Sequence, residues 1–237
     1  MPSPIWSPAT EFRLTAIAPE LWVARYPLSF MGFKITAGMV LVRLPDGGLW
    51  VHSPIPLTDE LKAAVDALGP VRFIVAPNRT HHLSALPWAK AYPDAQLYVA
   101  PGLTDKNPAF ADYPLIPPTA EAPWASALDS VFVAGNTEMN ETVFFHRASR
   151  TLIVSDLLVH MGPWDGLLTR LYARLTGCYG RVGQSVVLRK FYKDHGAART
   201  SLAKVAAWDF DRIVLSHGPV IRESAKEIFK SAFAWLL

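Results

Sequence analysis

Three short apolar runs, each ending in residues able to bind a metal or move a proton, constrain this chain more than anything else in it. Phe73-Ile74-Val75-Ala76 leads into Pro77-Asn78-Arg79-Thr80-His81-His82-Leu83, Leu152-Ile153-Val154 into Ser155-Asp156, and Ile213-Val214-Leu215 into Ser216-His217-Gly218. Runs of this length, rich in β-branched residues and bounded by turn residues, read as buried strands. Polar groups released at the ends of adjacent strands can meet in one crevice, where α/β folds usually place ligands and chemistry. Three imidazoles and a carboxylate delivered this way are ligands that zinc accepts.

The remaining pattern alternates strands and helices. Leu21–Tyr26 and Gly38–Leu44 read as strands, and Pro45-Asp46-Gly47-Gly48 as hairpin chemistry leading into a strand over Leu49–His52. Thr58 is placed to cap a helix from about Asp59 to Leu68, with Gly69 as its stop. Ala85–Ala91 is helix-like and Leu97–Ala100 a strand; a Pro-rich connection from Pro101 to Pro123 is longer than most loops. Beyond it come strands over Val131–Ala134, Thr142–Phe145 and Thr151–Val154. Helices follow over Asp165–Thr176, Gly196–Ala207 and Glu223–Trp235, with the strand Ile213–Leu215 between the last two. Two halves, each with several strands and flanking helices, predict two packed sheets with helices outside.

Length and composition narrow the function classes. At 237 residues, half of them hydrophobic and 18% charged, the chain is globular and fits one domain, 1–237. The formal charge of +3 comes without a basic-aromatic face, so nucleic-acid binding is not expected. One cysteine, Cys178, leaves no intrachain disulfide and suits a reducing compartment. Met-Pro-Ser-Pro-Ile-Trp at the start lacks the basic and apolar regions of a signal peptide, and no stretch is long and apolar enough to span a membrane. The expectation is a soluble, cytoplasmic protein acting on a small molecule, with its oligomeric state unspecified.

The order of these elements and the motifs at the three strand ends resemble the metallo-β-lactamase superfamily over nearly the whole chain, from about Leu21 to Leu236. That family's fold is α+β, a four-layer αββα sandwich. Its members carry Thr-His-x-His-x-Asp-His after a strand, a Gly-His-Thr turn, a strand ending in Gly-Asp and a late strand ending in His-Gly. Here Pro77-Asn78 stands where Thr-His is expected, Thr80 at the second histidine, His82 at the aspartate and Leu83 at the last histidine. Gly135-Asn136-Thr137 replaces the turn, Asp156 matches the bridging aspartate and His217 the final histidine. The Pro-Asn-x-x-His-His pattern resembles an uncharacterised branch of the superfamily.

The departures fall together. Asn78, Thr80 and Asn136 are not zinc ligands, so the resemblance implies that the first of the family's two metal sites is lost. His82, Asp156 and His217 remain, and three protein ligands with an open position is the composition of a catalytic zinc site. The resemblance therefore implies a hydrolase of an ester-like or phosphoester substrate using one divalent metal, zinc or another. His81 would be either a replacement ligand or an acid/base group; Asp156 or His81 would serve as base. Glu138 or Glu141 could fill the space of the missing turn histidine and shift the preference toward manganese, iron or magnesium. Asn78, Asn136 and Glu141 are candidate substrate contacts, as are Arg170 and Arg174, whose guanidinium forks suit an anion. The rival reading is a catalytically inactive, metal-free ligand-binding member of the same fold.

Overall fold

In a computed structural model, which describes residues 12–236, the predicted two-sheet architecture is present. The expectations about the first residues, including the absence of a signal peptide, lie outside the described residues. The first half carries β1 (Thr15–Ala18), β2 (Leu21–Phe30), β3 (Phe33–Arg43), β4 (Leu49–His52), α1 (Asp59–Asp66), β5 (Val71–Ala76), α2 (Ala85–Ala91), β6 (Gln96–Val99) and α3 (Leu103–Lys106). The second half carries β7 (Leu128–Phe132), β8 (Thr142–His146), β9 (Thr151–Val154), β10 (Val159–His160), α4 (Leu167–Thr176), β11 (Val182–Gly183), α5 (Val186–Arg189), α6 (His195–Ala207), β12 (Arg212–Leu215) and α7 (Ala225–Phe233).

Strands β1 to β6 form one sheet in sequence order; β12-β9-β8-β7 form the other, and β10-β11 make a small ribbon. Strands buried on both faces read as continuous apolar runs, as β9 and the Ile74–Ala76 end of β5 do. Between the sheets pack Val23, Val40, Trp50 and Val75 from one side and Phe144, Ile153 and Val214 from the other. The Trp50 ring stands edge-on to Phe144 at 4.8 Å. Burying an indole of this size contributes about 4–6 kcal/mol of transfer free energy, so this layer dominates the cohesion of the two halves. His52 sits in it fully buried, with neither ring nitrogen partnered among the described residues, and burial drives its pKa down to about 3.

Helices cover the outer faces. Leu61 and Val65 of α1 and Trp88 of α2 pack on the first sheet; Leu202 of α6 and Phe229 and Phe233 of α7 pack on the second. Helix α1 begins where Thr58 predicts, the hydroxyl accepting the Leu61 N–H at 3.1 Å. The Pro-rich connection is pinned rather than loose: α3 and two short 3-10 turns interrupt it, and Leu103 and Phe110 are buried.

The topology explains why chemistry gathers at one edge. Strand β5 runs parallel to β4 and β6, and β12 parallel to β9. Parallel neighbours release their chains at the same end. The loops after β4, β5, β9 and β12 therefore open on one side of the sandwich.

Candidate metal centre

At that edge His81, Asp156 and His217 converge, each offering one ligand atom within 4.8 Å of the others. His81 Nε2 lies 3.1 Å from His217 Nε2 and 3.3 Å from Asp156 Oδ2, and His217 Nε2 lies 3.2 Å from Asp156 Oδ1. Each imidazole turns its other nitrogen to an oxygen. His217 Nδ1 donates to the Thr36 carbonyl at 2.8 Å, and His81 Nδ1 faces the Ser53 hydroxyl at 2.6 Å. A carbonyl only accepts, so the His217 Nδ1 carries the proton and its neutral form presents an Nε2 lone pair to the cluster. Burial disfavours a charge on His217, but the Asp156 carboxylate beside it outweighs this and raises its pKa. Burial likewise opposes ionisation of Asp156, yet His81 and His217 hold it well below the usual carboxylate range.

Behind the cluster stands Asn78, 0% exposed, with both ends of its amide in use. Its Oδ1 accepts the backbone N–H groups of Thr80 and His81 at 2.8 and 2.7 Å, and its Nδ2 donates to Glu141 Oε2 and Asp156 Oδ2. The Thr80 hydroxyl sits between Asn78 Oδ1 and Asp156 Oδ2. Glu141, 3% exposed, takes the backbone N–H groups of Ser155, Asp156 and Leu157 at 2.7 to 2.9 Å. Burial and the Asp156 charge push its pKa up to about 7, against the pull of these donors. One amide and one carboxylate thus fix the loops after β5 and β9 to each other.

The Asn78 turn decides which histidine enters the cluster. By capping the N–H groups of Thr80 and His81 it bends the chain as β5 ends, and His81 swings toward Asp156. His82, expected as the ligand, instead sets its ring edge-on to Phe110 at 5.4 Å and lies outside the ligand cluster. Neither glutamate fills the place of the missing turn histidine: Glu141 holds the backbone, and Glu138 lies near Arg79 with 59% of its side chain exposed. Asn136 is buried and accepts the Met139 N–H at 3.2 Å.

The cluster opens on a cavity of about 440 Å³, walled by apolar side chains such as Leu28, Ile35 and Ile55, with His82 and Lys106 also on its wall. Arg170 and Arg174 do not line it. Helix α4 packs through Thr169 and Ala173, and the Arg174 guanidinium lies over the Tyr179 ring at 3.9 Å. Three participants escaped the sequence pattern. Ser53 carried a weak signal, as a polar residue at a strand end before Pro54. Lys106 sits in the Pro-rich connection far along the chain, and Thr36 acts through its main chain, which no side-chain motif reports.

Comparison with known proteins gives the same architecture. A family model described as "Domain of unknown function (DUF4336)" matches residues 20–165. No curated protein sequence matches the chain. A metallo-β-lactamase from Erythrobacter litoralis superposes with a TM-score of 0.63 at 16% identity, covering 94% of this chain and 96% of its own. One from Pontibacter korlensis gives 0.60 at 13%, covering 93% and 98%. The Flv1 flavodiiron core from Synechocystis sp. PCC6803 gives 0.63 at 13%, covering 94% of this chain and 60% of that one. At such identities the likeness shows the metallo-β-lactamase fold and nothing finer.

Proposed function

The chain belongs to the family described as domain of unknown function DUF4336, and from its site we propose that it is a metal-dependent hydrolase of a small ester-like or phosphoester substrate. One divalent cation is held by His81, Asp156 and His217. The reading rests on one observation: the two Nε2 atoms stand 3.1 Å apart and each faces a different oxygen of the Asp156 carboxylate, at 3.3 and 3.2 Å. Donors about 2.0–2.1 Å from a tetrahedral zinc ion stand roughly 3.3–3.4 Å from one another, close to the spacing of the two imidazole nitrogens. Both histidines also have the outer partner expected of a ligating imidazole, an oxygen at Nδ1. The donor set of two imidazoles and one carboxylate suits zinc and also the harder divalent metals.

A cation bound there supplies Lewis acidity and lowers the pKa of water toward neutrality. The chain's own residues do the rest. Asn78 Nδ2 and the Thr80 hydroxyl orient the Asp156 carboxylate; Thr36 and Ser53 fix the two rings. The apolar wall admits the body of an ester and excludes water from it, while Lys106 offers its charge and His82 a proton-carrying ring to the reacting end. His81 and His82 thus exchange the roles first expected of them. Asn78, Asn136 and Glu141 act as scaffold rather than as substrate contacts.

One feature favours the metal-free rival: the Asn78 network closes on itself without a cation. Elemental mass spectrometry on protein incubated with zinc or manganese, then desalted, separates the two. About one equivalent, lost in His81→Ala and in His217→Ala but kept in His82→Ala, supports the centre, and p-nitrophenyl esters and bis(p-nitrophenyl) phosphate then test hydrolysis. Absence of bound metal from the wild-type protein sinks the proposal in favour of a ligand-binding protein.

A further inference from the structure

The segment from 166 to 193 carries six Lys/Arg and no Asp/Glu, an imbalance the chain's overall charge of +3 conceals. Its helix α4 is amphipathic in an inverted sense. Thr169 and Ala173 are its buried residues, whereas Leu167, Leu168, Leu171 and Leu175 face solvent, Leu167 and Leu175 at 74 and 78% exposure. At about 100° per residue these four leucines fall within one arc of about 100°, and Arg170 and Arg174 border it. Among the described residues neither arginine, nor Arg181 just beyond, is paired with a carboxylate.

The leucine stripe does not end with the helix. The Gly166 N–H and the Thr169 hydroxyl both donate to the Lys34 carbonyl, which seats α4 against the β2–β3 hairpin. The hairpin turn passes so close that a Cβ on Gly32 would stand 3.7 Å from Leu168. That turn adds Phe30 and Met31, the latter 82% exposed, to the same apolar face. Isolated exposed leucines need no explanation, but a contiguous patch fringed by unpaired cations does.

We propose that this face, α4 with the β2–β3 turn, docks onto an anionic bilayer surface, lying in the interface plane. No helix of the described residues is long and apolar enough to cross a membrane, and an in-plane helix needs no such length. The leucines and the turn enter the headgroup boundary while the arginines meet acidic headgroups. A protein partner would have to complement both the apolar stripe and an unbroken run of cations; an anionic bilayer matches both at once. Phe30 belongs both to this face and to the wall of the 440 Å³ cavity, so a docked molecule opens that cavity toward lipid.

Flotation on vesicles tests this without reference to any metal or hydrolase activity. The wild-type protein is expected to float with vesicles of equal parts phosphatidylcholine and phosphatidylglycerol in dilute buffer, and to be released by molar salt. Both Leu167→Ser/Leu171→Ser/Leu175→Ser and Arg174→Glu/Arg181→Glu are expected to weaken the partition by about tenfold or more. The leucines are exposed, so the triple serine variant keeps the wild-type melting temperature, whereas the arginine variant also gives up the Arg174–Tyr179 stack. Wild-type protein that stays at the bottom of the gradient with anionic vesicles overturns the proposal. So does light scattering that shows a dimer which the triple serine variant converts to monomer, since a second copy would then cover the face.

Discussion

Two neighbouring clusters of polar groups lie at the same edge of the sandwich, and they differ in what they leave unspent. The Asn78 amide and the Glu141 carboxylate are consumed by the protein: five hydrogen-bond contacts saturate the amide, and Glu141 receives three backbone N–H groups. Around His81, two imidazole nitrogens and a carboxylate point at one another and at a cavity. The first is a closed circuit that stiffens loops. The second holds like groups together that, without a cation or shared protons, gain little from their closeness. The scaffold is buried and the centre only partly so, but the plainer difference is unspent valence.

The comparison breaks hardest at Glu141. Replacing it with leucine orphans three buried N–H groups, each costing about 1–3 kcal/mol, so urea unfolding in chelator should show a loss on the order of 4–5 kcal/mol. A loss below about 1 kcal/mol would mean the circuit is not closed. At the other cluster, His81→Ala and His217→Ala should each weaken metal binding by more than about a hundredfold, read by competition with a chromophoric chelator, while costing less metal-free stability than Glu141→Leu does. Equal damage to metal-free stability would make the cluster scaffold too. Ser53→Ala removes only the outer partner of His81 and should weaken metal binding by about tenfold; unchanged affinity would show that the ring needs no such support. The smallest effect belongs to His82→Ala, expected to leave metal stoichiometry untouched, and loss of metal there would restore the motif-based ligand assignment.

The fold was legible because its signals are local. α2 and β9 have the bounds that their apolar runs and breakers predict. The β10–β11 ribbon and α5 were not, since two to four residues carry no period to read. β7 begins three residues earlier than its most apolar stretch because it pairs to the full length of β8. The site was legible only in outline. Asp156 and His217 follow directly from strand ends, but the choice between His81 and His82 depends on a turn built by a side-chain amide, which alignment to a motif cannot see. Arg170 and Arg174 had the right chemistry for an anion and the wrong location for the cavity. Their meaning depends on which face of α4 the rest of the molecule covers.

The saturated amide of Asn78 also bears on what sequences can be reached from this one. A histidine at that position would supply an imidazole but would break five contacts at once, two of them to carboxylates that would be left buried and facing each other. Contacts that share partners do not change independently. The site that the family resemblance implies at positions 78, 80 and 136 could therefore not be built without also disturbing Glu141 and Asp156, which Asn78 holds. If the centre holds one metal as proposed, the Asn78 circuit works as a ratchet: single substitutions tune the chain around that centre without leading it to two.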